Sequence, residues 1–232
     1  SGHTASSSGG GVYFAGETFT MKDSATVSGN TTSSYGGGVY IGSGTFTMQG
    51  SAAVSGHTAS SSGGVYFYGI TFTMEGNATV SGHTASSGGG VYFAGETFTM
   101  KDSATVSGHT ASSSGGVYIG SGTFTMEGNA TVSGHTASSD GGGVYVYMGT
   151  FTKKGGTIYG DTDTTHTPGS TENTATSGRG HAVYIDNGGK QRNAVAGPTV
   201  NLYAQYTNNN WRYNDTSVGG VGDTTGSWED RD

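Results

Sequence analysis

The sequence predicts an all-β fold: a right-handed, three-sided parallel β-helix, or solenoid, with 26–27-residue coils and a C-terminal cap. Three periodic series predict it. Valine-tyrosine pairs begin at Val12, Val39, Val65, Val91, Val117 and Val144, and the phenylalanine of a TFT triplet recurs at Phe19, Phe46, Phe72, Phe98, Phe124 and Phe151. A third apolar series ends in Val27, Val54, Val80, Val106 and Val132. A repeat this short cannot bury its own apolar face and has to stack on its neighbours.

Each element of one coil follows from strand alternation, which sends successive side chains to opposite faces. In Val12-Tyr13-Phe14, valine and phenylalanine point inward and tyrosine outward. In Thr18-Phe19-Thr20-Met21 the phenylalanine and methionine point inward and both threonines outward. Ala25 and Val27 complete six inward side chains per coil, with Thr26 and Ser28 outside. The first two connections, such as AGE and KDS, hold too few residues for a helical crossover and suit corners. The third, SGHTASS with a variable Ser, Asp or Gly run, carries the length variation between coils and reads as a surface loop. Parallel crossovers are nearly always right-handed, and coils stack about 4.8 Å apart.

The regular pattern fades after about residue 150, where FTKKGGTIYG replaces FTMEGNATVSG. Residues 1–160 are therefore expected to form the coils, and 161–232 the last coil and a capping segment. One more valine-tyrosine pair stands at Val183 and Tyr184, TVNLYAQY alternates like a strand, and Trp211, Tyr213 and Trp228 supply bulky aromatics to cover the end. A solenoid end without such a cover leaves strand edges free, so self-association through the coil ends is an expectation. The chain opens inside a unit, at SGHTASSS, as a fragment or processed product would.

Composition narrows the function. Forty-six glycines would suggest low complexity, but 11% aromatic residues at fixed spacing argue for a packed core. The net charge is −7, and Lys22 and Lys101 are the only basic residues before residue 150, so nucleic acid is not an expected partner. No window reaches the apolar length of a transmembrane segment. With no cysteine, neither disulfides nor thiol chemistry arise. The acids of the repeat, Glu17, Asp23, Glu75, Glu96, Asp102, Glu127 and Asp140, are scattered over corners and do not pair for acid–base work, so the chain is expected not to be an enzyme, with no catalytic residue, metal or cofactor. Asp161, Asp163, His166 and Glu172 form a local polar cluster that reads as loop.

The motifs GGGVYF, GTFTM and EGNATVSG, with the SGNTTSS variant around Asn30, resemble the tandem repeats of large surface proteins of spirochaetes and gut bacteria, and more distantly the polymorphic membrane proteins of chlamydiae. The tail GHAVYIDNGGKQRNAVAGPTVNL, followed by GSWED, looks like the end of spirochaete members. The resemblance implies an extracellular or cell-surface location and a structural or adhesive role toward a protein or glycan. It transfers no catalytic residue. The departure is histidine at His3, His57, His83, His109 and His135, where Asn30 holds the usual residue.

Three outward columns are candidate sites. The tyrosine ladder, Tyr13, Tyr40, Tyr66, Tyr92, Tyr118 and Tyr145, could stack on sugar rings or a partner protein, or simply stack on itself. The threonine array, Thr18/Thr20, Thr45/Thr47, Thr71/Thr73, Thr97/Thr99, Thr123/Thr125 and Thr150/Thr152, is similar to the flat faces of insect β-solenoid antifreeze proteins and makes ice the alternative ligand. Threonine is also simply a good exposed strand residue. The histidine column reads as a solvated polar ladder on the loop side.

Overall fold

A computed structural model describes residues 1–159, 172–176, 182–185 and 201–202. These form a β-solenoid without a helix, and every strand pair is parallel between equivalent positions of successive coils. Three sheets line its three sides. One complete coil runs through Val65–Phe67, Thr71–Met74, Thr79–Ser81 and Thr84–Ala85.

The Val-Tyr strands and the TFTM strands belong to one 11-stranded sheet, because in the first two coils they are single ten-residue strands, Val12–Met21 and Val39–Met48. From the third coil on, Tyr68-Gly69-Ile70 and its counterparts break that strand at a corner. The TVS strands form a seven-stranded sheet, and two-residue Thr-Ala strands form another. That last sheet corrects the sequence reading. The segment taken as a surface loop contains a strand, Thr58–Ala59 and its equivalents, and only the Ser-rich stretch after it remains a loop on the surface.

The register places like on like: Val91 pairs with Val65 and Val117, Phe98 with Phe72 and Phe124, Met100 with Met74 and Met126. All six inward positions of the fourth coil, Val91, Phe93, Phe98, Met100, Ala104 and Val106, are fully buried, as alternation requires. The phenylalanines stack into a continuous column, with Phe72–Phe98 and Phe98–Phe124 centroids both 4.6 Å apart. One strand spacing is therefore also about one ring thickness plus contact, so identical rings pack on one another from coil to coil.

Glycine is needed where the coil passes over its own interior. A Cβ on Gly64 would lie 2.4 Å from the Gly90 carbonyl oxygen and 2.5 Å from the His83 ring. At the corner after TFTM, Gly50, Gly76 and Gly128 have φ between 63° and 68°, and Asp23 and Asp102 take the same left-handed turn at φ 55°.

After residue 160 the coils continue where they are described. Val183–Ile185 pairs with Val144–Val146, and Asn201–Leu202 with Thr157–Ile158. The capping segment expected within 161–232, with Trp211, Tyr213 and Trp228, lies outside the described residues, as do Asp161, Asp163 and His166 of the polar loop cluster.

Candidate binding surface

The tyrosines emerge from the Val-Tyr strands because their neighbours on both sides are inward-facing core residues. They stack nearly parallel: Tyr13–Tyr40 at 4.9 Å, Tyr40–Tyr66 at 5.2 Å, Tyr66–Tyr92 at 4.7 Å, Tyr92–Tyr118 at 4.8 Å and Tyr118–Tyr145 at 5.1 Å. Interplanar angles in this series stay between 3° and 9°. Each inner ring thus spends both faces on its neighbours. What the ladder offers a ligand is a row of ring edges and hydroxyls, not faces for sugar rings.

Three further tyrosines break from the stack. Tyr35 tilts 48° over Tyr66, Tyr68 is 60% exposed at the following corner, and Tyr147 lies 6.4 Å from Tyr118. Among the described residues the exposed large apolar side chains are Tyr13, Tyr35, Tyr68, Ile70 and Met148. Every one lies in a Val-Tyr strand or in the turn directly before or after it. The apolar surface is therefore gathered along the Val-Tyr side of the coils and the turns at its two ends. Partial burial pushes the Tyr66 phenol up to about 12, with Tyr92 and Tyr40 adding to the effect, and burial likewise raises Tyr40 and Tyr92. These phenols stay neutral at ordinary pH and can both donate and accept hydrogen bonds.

The threonine array is in register through all six coils. One row runs from Thr18↔Thr45 to Thr123↔Thr150, and the other from Thr20↔Thr47 through Thr47↔Thr73, Thr73↔Thr99 and Thr99↔Thr125 to Thr125↔Thr152. Its side chains repeat at roughly 7 Å along a strand and about 4.8 Å between strands. The twelve threonines differ in exposure. Only Thr18 and Thr97 are exposed, while Thr20, Thr47, Thr73, Thr99, Thr125 and Thr152 are all half-buried, as are Thr45, Thr71, Thr123 and Thr150. Thr73 and Thr99 pair in register with the matching threonines of the coils before and after, but so does the exposed Thr97, so in-register neighbours alone do not set how open a threonine is. Outward threonine is also not special to this face. The TVS sheet presents Thr79/Ser81, Thr105/Ser107 and Thr131/Ser133, and the Thr-Ala sheet exposes Thr58, Thr84 and Thr110.

The histidine column corrects the sequence reading more deeply. His57, His83, His109 and His135 are buried, and their rings stack at 4.7–5.0 Å. Each Nδ1 accepts the backbone N–H of the residue one coil earlier: Asn30 donates to His57 (2.9 Å), His57 to His83 (3.0 Å), His83 to His109 (3.0 Å) and His109 to His135 (3.1 Å). The proton is therefore on Nε2, which faces the carbonyls of Val27 from His57 (3.0 Å) and Val106 from His135 (3.1 Å). His83 and His109 direct Nε2 toward the Val54 and Val80 carbonyls in the same sense, but outside hydrogen-bond geometry. Asparagine continues the pattern at both ends. Asn30 Oδ1 accepts from the His3 N–H, and Asn173 Oδ1 accepts from His135 while its Nδ2 donates to Val132. Only His3 is exposed, as the sequence reading had it. The signal was present in the sequence: His57 and Ala59 alternate with outward Thr58 as in the longer strands.

The acids remain at the corners. Lys101 bridges Glu75 at 2.8 Å on the surface, and Asp102 accepts the Gly76 N–H. Among the described residues no three His, Asp or Glu side chains converge as metal ligands, and no helix is long and apolar enough to cross a membrane. Comparison with protein-family models, curated proteins and solved structures found no match.

Proposed function

We propose that this chain is a non-enzymatic structural or adhesive rod of the cell exterior, which holds an extracellular protein or glycan through its tyrosine edge. One observation carries the reading: the exposed large apolar side chains of the described surface all lie in the Val-Tyr strands or in the turns that flank them, beside the tyrosine ladder. Contiguous apolar surface marks interaction sites. Tyrosine suits that task because its rigid, amphipathic ring gives contact area at low ordering cost. The covered ring faces favour a ligand that lies along the ribbon and meets hydroxyls and edges, with ring-face contacts limited to the tyrosines that leave the stack.

The test is binding to immobilised collagen, laminin and a glycan panel. Tyr66→Ala with Tyr92→Ala should lower binding at least tenfold, while Thr71→Ala with Thr97→Ala leaves it within twofold. Loss from the threonine pair alone, with the tyrosine pair unaffected, would move the working surface to the other half of the sheet. No binding to any panel member removes the adhesive role.

Ice is the second reading, favoured by the unbroken register of twelve threonines. It predicts thermal hysteresis that Thr71→Tyr with Thr97→Tyr abolishes, since a flat face fails at one protrusion. The spread of threonine over all three sheets argues for a general strand surface instead.

A further inference from the structure

We propose that the histidine column is an acid-sensitive lock on the coil stack: protonation at Nδ1 removes the acceptor of the preceding coil's backbone N–H, and the coils come apart together. The geometry leaves no other site for the proton. Nε2 already carries one, hydrogen-bonded to a valine carbonyl in His57 and His135, and in all four rings the Nδ1 lone pair is occupied by a backbone N–H 2.9–3.1 Å away. A second hydrogen there would put two donors face to face inside a normal hydrogen-bond length.

The ring cannot turn away in place. The His83 ring lies against Gly64, where even an added Cβ would fall 2.5 Å from it. The column also couples its members. With rings stacked at 4.7–5.0 Å, two adjacent imidazoliums would repel, so release of one ring favours release of the whole column rather than a charged stack. The elements packed on the column offer no counter-charge: the Gly-Gly segments, the valine carbonyls and the Thr-Ala strands carry no titratable side chain. The titratable groups that act on it are its own members and, for His57, the chain's amino terminus.

Burial is the first cause in all four rings and holds each below the ordinary histidine range, to about 3 for His83 and His135. The sign follows. A folded-state value below the unfolded one of about 6.5 means the unfolded chain binds more protons, so stability is full above about pH 6.5 and falls as pH drops toward about 3. Each ring that stays neutral in the fold while the unfolded chain takes up a proton lowers the folded-to-unfolded ratio by up to about tenfold per pH unit, and the rings of the column act in the same direction.

Asn30 and Asn173 supply the control, since they occupy the same column with a side chain that does not titrate. Urea melts of the full chain from pH 8 to pH 4 should show the wild-type midpoint falling steeply below about pH 6. Replacing His57, His83, His109 and His135 together by Asn should move acid unfolding down by at least one pH unit. Equal acid midpoints would overturn the proposal. Imidazole nitrogen NMR of the wild type decides independently of whether the variant folds. Four Nε2–H rings that do not titrate while the chain is folded support the lock, and rings that titrate near pH 6.5 in the folded chain refute it.

Discussion

Phe98 is the sharpest place to test the packing argument. It is fully buried and stacked at 4.6 Å on Phe72 and at 4.6 Å on Phe124, with Phe93 of its own coil 5.6 Å away. Phe98→Ala leaves a cavity that neighbouring coils cannot close, because each is held in register by parallel pairing on both sides. The expected cost is about 3–5 kcal/mol, at the upper end because two stacked pairs go with the ring. Thr97, next in the chain, points outward, and Thr97→Ala should cost less than about 0.5 kcal/mol. Urea melts of both variants read the difference, and hydrogen exchange localises it, since repeat arrays can unfold in parts. Protection in the strands Val91–Phe93 and Thr97–Met100 should fall for Phe98→Ala alone. Similar losses in the two variants would mean that the inside and outside of the strand are misassigned, and with them both candidate faces.

Two further outcomes follow from local geometry. Gly64→Ala forces a methyl to within 2.4 Å of the Gly90 carbonyl oxygen, and should cost about 1–3 kcal/mol or more by overpacking, against under about 0.5 kcal/mol for exposed Ser86→Ala; thermal melts distinguish them. Lys101→Ala breaks a 2.8 Å bridge to Glu75, but both partners are partly solvated, so the melting midpoint should shift by less than about 1 kcal/mol equivalent, and less again in 1 M salt.

The core was legible because alternation is unambiguous in VYF and TFTM, where large apolar residues flank one outward side chain. The Thr-Ala strand was harder to see, since the alternation of His57 and Ala59 about outward Thr58 spans only three residues and the ladder that orders them comes from other coils. The buried histidines were missed for a related reason. A polar ring in a serine-rich stretch reads as solvated until the backbone donors and acceptors that satisfy it are placed, and those come from coils a full repeat away. The tyrosine column was legible as a column, but the loss of ring faces to stacking depended on side-chain orientation. The threonine rows were legible in the same way: alternation gives the direction of Thr73 and Thr99, but not how far the neighbouring coils cover them.

A solenoid turns each sequence position into a line. Since most outward positions align with like residues in successive coils, a ligand held by the tyrosine ladder as proposed would meet a lattice repeating at 4.7–5.2 Å. Recognition on such a lattice is governed by how many coils one ligand spans. Removing Tyr66 and Tyr92 leaves Tyr13–Tyr40 on one side and, on the other, Tyr118–Tyr145 with the tilted Tyr184 beyond it, short remnants of the ribbon. Ligands that each engage one or two rings would keep most of their affinity at the remnants, and only the number of bound molecules would fall. A ligand that runs the length of the ribbon loses its central contacts and the linkage between its ends, and its affinity falls by far more than the fraction of rings removed. The covered ring faces favour the second case, because isolated ring-face sites scarcely exist in the middle of the ribbon.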